Sequence, residues 1–119
     1  MSFTSDDERK AVLTTNTSVL ARRIWIDSEH TTLPYEAGWA SEAVFFTQVE
    51  GPHPELTVTT EISPDGIIWV PHGRVGTLAE HETLVSNSVS VFGNWLRLRI
   101  EGASAERPAR ILVHLNLKG

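Results

Sequence analysis

The stretch from Thr57 to Val70, TVTTEISPDGIIWV, constrains the fold of this chain more than any other part of the sequence. Residues 56–63 alternate between apolar and polar side chains, which is the period of a β-strand. The sequence Pro-Asp-Gly at 64–66 then supplies the preset φ, the side-chain acceptor and the positive φ that a tight turn needs. The apolar run at 67–70 therefore predicts a β-hairpin, and Pro71 is expected to end its second strand because proline has no N–H for the ladder.

The alternation also predicts which side chains face the core. In the first hairpin strand the predicted inward set is Leu56, Val58, Thr60 and Ile62, and the predicted outward set is Thr57, Thr59, Glu61 and Ser63. In a later strand, Leu96, Leu98 and Ile100 are expected to face inward, against Trp95, Arg97, Arg99 and Glu101 on the outward side. In the last strand, the inward set is Ile111, Val113, Leu115 and Leu117.

Short strands recur along the rest of the chain. Further strands are predicted at 19–26, 41–50, 82–92, 95–101 and 109–117, whereas helix periodicity is limited to one or two turns near 75–83. About seven or eight short strands at regular spacing are typical of an antiparallel sandwich or jelly roll. We therefore predict an all-β fold: a single antiparallel β-sandwich, jelly-roll-like, at 19–119, preceded by an extended N-terminal arm at 1–18.

Composition limits the classes of partner and location. A length of 119 residues fits one domain, and the net charge of −5 argues against nucleic acid and anionic membranes as partners. No apolar run approaches the ~20 residues that a membrane helix needs. The polar, acidic start of the chain lacks the apolar segment of a signal peptide. We expect synthesis in the cytoplasm without a signal peptide. This is compatible with a final location in a virion or other particle.

The sequence contains no recognisable catalytic or metal-binding set. The absence of cysteine excludes disulfides, thiolate metal sites and cysteine nucleophiles. The five histidines have no spacing typical of a metal pair, and neither a phosphate-binding glycine loop nor a nucleophile elbow occurs. Glu61 and Glu101 are expected near Arg97 and Arg99, where cross-strand charge pairs account for them better than glycoside hydrolysis does. We predict a protein that is not an enzyme, with no catalytic residues, no metal and no cofactor.

Two of the four tryptophans are predicted to lie in the core. Trp25 and Trp69 occur in apolar strands, and an indole buries a large area. Trp39 instead follows Tyr35 in a loop, where the two rings are candidates for a sugar-stacking platform or a contact pad.

Trp95 is the tryptophan with the clearest interface pattern. It shares a predicted strand face with Arg97 and Arg99, so a cation stacked on its ring is expected. An outward row of Trp and Arg matches the composition of interface hot spots. The alternative is that the N-terminal arm or a loop packs over this row as a lid.

Two segments carry a resemblance to a known family. Residues 61–69, EISPDGIIW, and residues 95–100, WLRLRI, resemble discoidin-type (coagulation-factor C-type) and related β-sandwich modules. In those modules an S-x-D-G-x-x-W hairpin precedes a strand of the form Y-[LIV]-R-[LIV]-R-[LIV]. Similar sandwich modules occur in phage virion and tail proteins. The resemblance covers about residues 57–101 and implies the sandwich fold.

Two hypotheses for function follow. The first is a non-enzymatic structural protein that self-associates as a homo-oligomer or decorates a larger particle such as a virion, filament or shell. Its predicted interface residues are Trp95, Arg97, Arg99, Trp39, Tyr35 and, in the N-terminal arm, Phe3. The alternative is a carbohydrate-binding module that uses the exposed aromatic residues Trp39, Tyr35 or Trp95.

Overall fold

Residues 15–119 form ten β-strands in two antiparallel sheets in a computed structural model that describes this part of the chain. The strands are β1 (Thr15–Ile26), β2 (His30–Thr31), β3 (Tyr35–Glu36), β4 (Glu42–Glu50), β5 (Leu56–Ser63), β6 (Val70–Pro71), β7 (Gly76–Leu78), β8 (Leu84–Ser90), β9 (Trp95–Glu101) and β10 (Ala109–Lys118). The four-stranded sheet has the order β1-β10-β4-β8. The six-stranded sheet has the order β2-β9-β5-β6, with β3 also paired to β9 and β7 to β5.

The strand order is that of a jelly roll. The short strands β2 and β3 both pair with β9, and β6 and β7 both pair with β5, so each couple forms one interrupted edge strand. Counted in this way, the chain has eight strands, in the order 1-8-3-6 in one sheet and 2-7-4-5 in the other. Jelly rolls have this two-sheet, double Greek-key architecture. The predicted all-β, jelly-roll-like antiparallel sandwich is confirmed.

The core lies between the two sheets and is filled by alternate residues of the long strands. The inward residues predicted for β9 and β10 are confirmed, since all of them are fully buried: Leu96, Leu98, Ile100, Ile111, Val113, Leu115 and Leu117. Among residues 15–119, Phe45 of β4 is the largest fully buried side chain. Burial of one such side chain stabilises the fold by about 1.5–3 kcal/mol.

Strand β5 differs from the prediction because both of its faces are buried. The side chains predicted to face water, Thr59, Glu61 and Ser63, are 6%, 6% and 2% exposed. The prediction that this outward side of β5 is exposed to water is therefore wrong. Its cover includes the segment 64–69, which folds back over the sheet as described below.

The hairpin prediction needs a similar correction. Within the segment 67–71, only Val70 and Pro71 pair with β5, so Ile67 and Ile68 stay outside the ladder instead of forming part of a second strand. Their amides are used locally, because the Asp65 carboxylate accepts both of them. Pro71 is the last residue of the two-residue edge strand β6, so the strand ends there as predicted, although Pro71 itself still pairs with Glu61.

Strand β1 begins earlier than the predicted first strand. Residues 15–18, which the sequence analysis assigned to the arm, pair with residues 115–118 of β10. Its register shifts twice, between Val19 and Ala21 and between Ala21 and Ile24. Phe3 and the rest of 1–14 lie outside the described residues, so the arm and its interface role stay predictions. Within residues 15–119, no helix is long and apolar enough to cross a membrane.

The first testable prediction concerns the core. Replacing Phe45 by Ala should lower the free energy of unfolding by about 3–5 kcal/mol, because it removes a fully buried ring and leaves a cavity. Leu33→Ala is the matched control: that side chain is 83% exposed, and its loss should change stability by less than about 0.5 kcal/mol. Urea unfolding followed by tryptophan fluorescence measures both; equal losses would contradict the proposed core.

Candidate functional site

The outer face of the six-stranded sheet concentrates the predicted interface residues. Strands β5 and β9 lie side by side there, with Glu61 opposite Arg97, Thr59 opposite Arg99 and Ser63 opposite Trp95. These side chains point outward because the alternate residues of β9 face the core. We use the term Trp/Arg face for Glu61, Trp69, Trp95, Arg97 and Arg99.

A buried carboxylate lies at the centre of the Trp/Arg face. The side chain of Glu61 is only 8% exposed. Its Oε1 accepts a hydrogen bond of 2.7 Å from Nε of Arg97. Its Oε2 lies 3.3 Å from Nε of Arg99, an ion pair that lacks hydrogen-bond geometry. Two guanidinium groups therefore compensate one buried charge, which is the condition under which a charge can be buried without a large loss of stability.

The ion-pair network becomes weaker toward solvent. Nη1 of Arg99 lies 3.7 Å from a carboxylate oxygen of Glu29 and 3.7 Å from one of Glu101. Both partner carboxylates are largely exposed, and such pairs contribute little to stability. The structural role of the network therefore depends on Glu61.

Trp69 and Trp95 lie on this face in different ways. The guanidinium carbon of Arg97 lies 4.4 Å from the centre of the Trp69 ring, a cation–π contact. The stacking predicted for Trp95 thus involves Trp69, and the prediction of Trp69 as a core residue is wrong because its ring is half-buried on the outer face. Trp95 packs against the turn, where a Cβ atom at Gly66 would lie 3.2 Å from its Cδ2. A loop covers part of the row, as the lid alternative proposed.

The turn between the two tryptophan contacts is fixed by side-chain hydrogen bonds. Oδ1 of Asp65 accepts the amides of Ile67 at 2.8 Å and Ile68 at 3.0 Å, and the hydroxyl of Ser63 at 3.0 Å. The Ser63 hydroxyl in turn accepts the amide of Gly66 at 2.8 Å, with the glycine at a φ of 79°. The amides of Ile68 and Ile67, followed by Ser63, lower the pKa of Asp65 below its ordinary value.

This turn exposes two consecutive isoleucines. Ile67 is 79% exposed and Ile68 is 68% exposed. They lie between Gly66, which packs on Trp95, and Trp69, which packs on Arg97. We call Ile67 and Ile68 the isoleucine tip. Because both flanking contacts are on the outer face of the six-stranded sheet, the tip projects from that face.

Tyr35 and Trp39, the two rings of the predicted contact pad, have different surroundings. Tyr35 packs against the core, and its hydroxyl accepts a hydrogen bond of 2.9 Å from Ser18. Trp39 is 48% exposed and lies against Gly119, where a Cβ atom would approach the ring to 2.8 Å. The Trp39 indole therefore remains accessible on one side, whereas Tyr35 is committed to the sandwich.

Sequence reasoning missed two exposed apolar features that the period of a strand could have revealed. Trp25, predicted in the core, is 63% exposed, because Ile24 and Ile26 on either side of it face inward. In the same way, adjacent isoleucines cannot both face the core from one strand. Trp25 also borders an open cleft of about 300 Å³ near His53 and Arg107. Among residues 15–119, no group of three or more His, Asp or Glu side chains could hold a metal ion.

Comparison with known proteins finds relatives at the level of the fold. No protein-family model matches the chain, and no curated protein sequence matches it. The SPBc2 prophage-derived protein YomS superposes with a TM-score of 0.60 at 6% identity, over 89% of this chain and 96% of YomS. The PBSX exported protein XepA gives a TM-score of 0.59 at 13% identity, over 88% of this chain and 36% of XepA.

A viral structure shares the fold as well. The structure of infectious bursal disease virus Gx strain gives a TM-score of 0.52 at 14% identity, over 89% of this chain and 32% of the viral chain. This chain thus spans about a third of XepA and of the viral chain, and nearly all of YomS. The resemblance to phage-related sandwich modules is confirmed at the level of the fold, and the discoidin-type resemblance stays a prediction.

The second testable prediction concerns the buried carboxylate. Glu61→Gln removes the charge that both arginines share, and it should lower the free energy of unfolding by about 2–4 kcal/mol. That is somewhat below the loss for a fully buried pair, since both guanidinium groups keep some access to solvent. Glu101→Gln is the control: it removes one exposed partner at 3.7 Å and should cost less than about 1 kcal/mol. Urea denaturation distinguishes the two, and similar losses would argue against Glu61 as the centre of the network.

The third testable prediction concerns acid pH. A carboxyl whose pKa is lowered by folding stabilises the native state above its unfolded pKa, and this stabilisation is lost as the pH falls through the folded pKa. Acidification below the ordinary Asp value of 3.8 should therefore release the amides of Ile67 and Ile68, seen as faster hydrogen exchange by NMR. Asp65→Asn, which does not titrate, should show no such acid-dependent step beyond the intrinsic exchange rate. An identical step in both proteins would contradict the assignment.

Proposed function

We propose that this protein is a non-enzymatic structural module that self-associates or is part of a larger particle, and that the Trp/Arg face is its main contact surface. The observation that carries the proposal is the buried Glu61 on an outer sheet face. Two arginines and a tryptophan are held in fixed positions around it. Residues fixed in this way lose little conformational entropy when a partner binds, which favours affinity.

The composition of this face supports a protein partner. Trp and Arg are the residues most enriched among interface hot spots. The side chains of Arg97 and Arg99 remain 25% and 29% exposed, so both are still available for contact. The adjoining isoleucine tip adds exposed apolar surface. Contiguous exposed apolar surface is typical of sites that contact other molecules.

The fold supports the same proposal. Jelly rolls are common in viral capsids. The three similar structures described above are those of a prophage-derived protein, a phage-related exported protein and a virus. For this chain we infer a role as a component of a virion or similar particle. Trp39 keeps the carbohydrate-binding alternative open, because its indole is half exposed.

The fourth testable prediction is concentration-dependent self-association. Sedimentation velocity at increasing protein concentration should show species heavier than the 13.2 kDa monomer. Arg99→Gln should raise the dissociation constant about tenfold, the effect expected for an interface arginine. Arg22→Gln is the matched control, because Arg22 is an exposed arginine of β1, in the other sheet.

Two results would count against the proposal. A wild-type protein that stays monomeric at all concentrations would refute self-association. Its partner in a particle would then have to be a different protein. Equal effects of Arg99→Gln and Arg22→Gln would move the contact away from the Trp/Arg face.

A further inference from the structure

The isoleucine tip is an apolar projection whose shape is set before any contact is made. Asp65 accepts both tip amides, and the segment is anchored on each side by a tryptophan contact. The main chain that carries these two large apolar side chains, 79% and 68% exposed, is thereby held in one conformation. Such pre-organised apolar residues are typical of surfaces that insert into a partner.

The opposite face of the sandwich carries a depression with an apolar part. It has a volume of about 160 Å³ and is lined by Glu42, Ala43, Val44, Phe46, Asn116 and Lys118. We call it the sheet groove. Val44 and Phe46 form its apolar part and are half-buried although they point away from the core. Glu42 and Lys118, which are cross-strand partners, are its charged residues.

The tip and the groove lie at the same end of the molecule. A five-residue loop, 51–55, joins the end of β4 to the start of β5, so the end of β5 and the start of β4 are both at the other end. The tip follows the end of β5, and the groove includes the start of β4. They lie on opposite outer faces: the tip projects from the six-stranded sheet, and the groove is a depression in the four-stranded sheet.

One pair of opposite charges lies beside the two features, in a groove that also holds the carboxylate of Glu42. Asp65 adjoins the tip and is exposed, and Lys118 lines the groove and is exposed. Two molecules stacked sheet upon sheet would bring the apolar tip of one to the apolar groove of the other and Asp65 toward Lys118. The opposite pairing, groove against groove, would leave both tips in water.

We propose that the isoleucine tip of one molecule docks in the sheet groove of a second copy of this chain, with Asp65 facing Lys118. The inference rests on the proposed function and specifies its partner. A contact between two different surfaces of identical subunits is heterologous, and it generates a ring if the rotation closes and a filament if it does not.

The test uses two variants that each remove one side of the contact. Ile67→Ser with Ile68→Ser removes the tip but keeps the groove. Val44→Glu introduces a charge into the groove that also repels Asp65, but it keeps the tip. Each variant alone should associate at least about tenfold more weakly than the wild type in sedimentation velocity. Mixed in equal amounts, they should form a 1:1 dimer, in which the intact tip of the groove variant docks in the intact groove of the tip variant. The dimer should grow no further, because its free tip and its free groove are both mutated.

Controls separate docking from loss of folding. Val75→Ser removes another exposed apolar side chain, at the separate cleft between β7 and β8, and should assemble like the wild type. Circular dichroism and urea midpoints should match across the proteins. If Val44→Glu does not fold, Lys118→Glu replaces it. Lys118 is exposed, so the substitution should be tolerated, and it reverses the charge that faces Asp65.

Each outcome bears on the proposal in a defined way. A monomeric wild type would refute the proposed function and this inference together. If the wild type assembles and the tip and groove variants assemble equally well, or if the variants fail to complement each other, the inference is wrong and the proposed function stands. Binding of phosphatidylcholine vesicles by the wild type but not by the tip variant would assign the tip to a lipid surface and overturn the proposal.

Discussion

The Glu61 carboxylate is the charge around which the outer face of the six-stranded sheet is organised. A carboxylate from which almost all water is excluded requires cationic partners, and Arg97 and Arg99 of the neighbouring strand supply them. The position of Arg97 then allows the indole of Trp69 to stack on it, which holds the segment 64–69 across the sheet. The isoleucine tip projects from this segment. The position of the isoleucine tip thus depends on a buried charge a few residues away.

The edges of the two sheets are poorly suited to pairing with another chain. Both edges of the six-stranded sheet consist of strands of only two or three residues, and one of them contains Pro71. The edge strand β1 carries two register shifts. At β8, Nε2 of His72 lies 2.7 Å from the carbonyl oxygen of Ser90, the last residue of that edge strand. Short, irregular or covered edges are how natural sheets avoid edge-to-edge association. Contacts in an assembly of this protein are therefore expected at the sheet faces.

The alternation of side chains made the jelly-roll fold and the faces of β9 and β10 predictable, because those strands are long and regular. It could not reveal the burial of Glu61, since a period assigns a residue to a face but does not say what covers that face. The path of residues 64–69 was missed for a related reason: local hydrogen bonds to Asp65 compete with the hairpin ladder, and an apolar run alone cannot rank the two. Trp25 was misassigned because the size of the indole was given more weight than its place between two inward isoleucines.

The hydrogen bonds of the turn also bear on how this protein ages. An Asp-Gly sequence is chemically fragile in a flexible chain, because the glycine nitrogen can attack the aspartate side chain and form a succinimide that reopens largely as isoaspartate. Here the Gly66 amide donates to the Ser63 hydroxyl, and the Asp65 carboxylate is held by the amides that follow it. Both reacting groups are thereby turned to other partners. Isomerisation would insert the methylene of residue 65 into the main chain, one residue before the two isoleucines, and shift them from their anchored position. The network that orients this surface therefore also protects it from the covalent change that would disorder it.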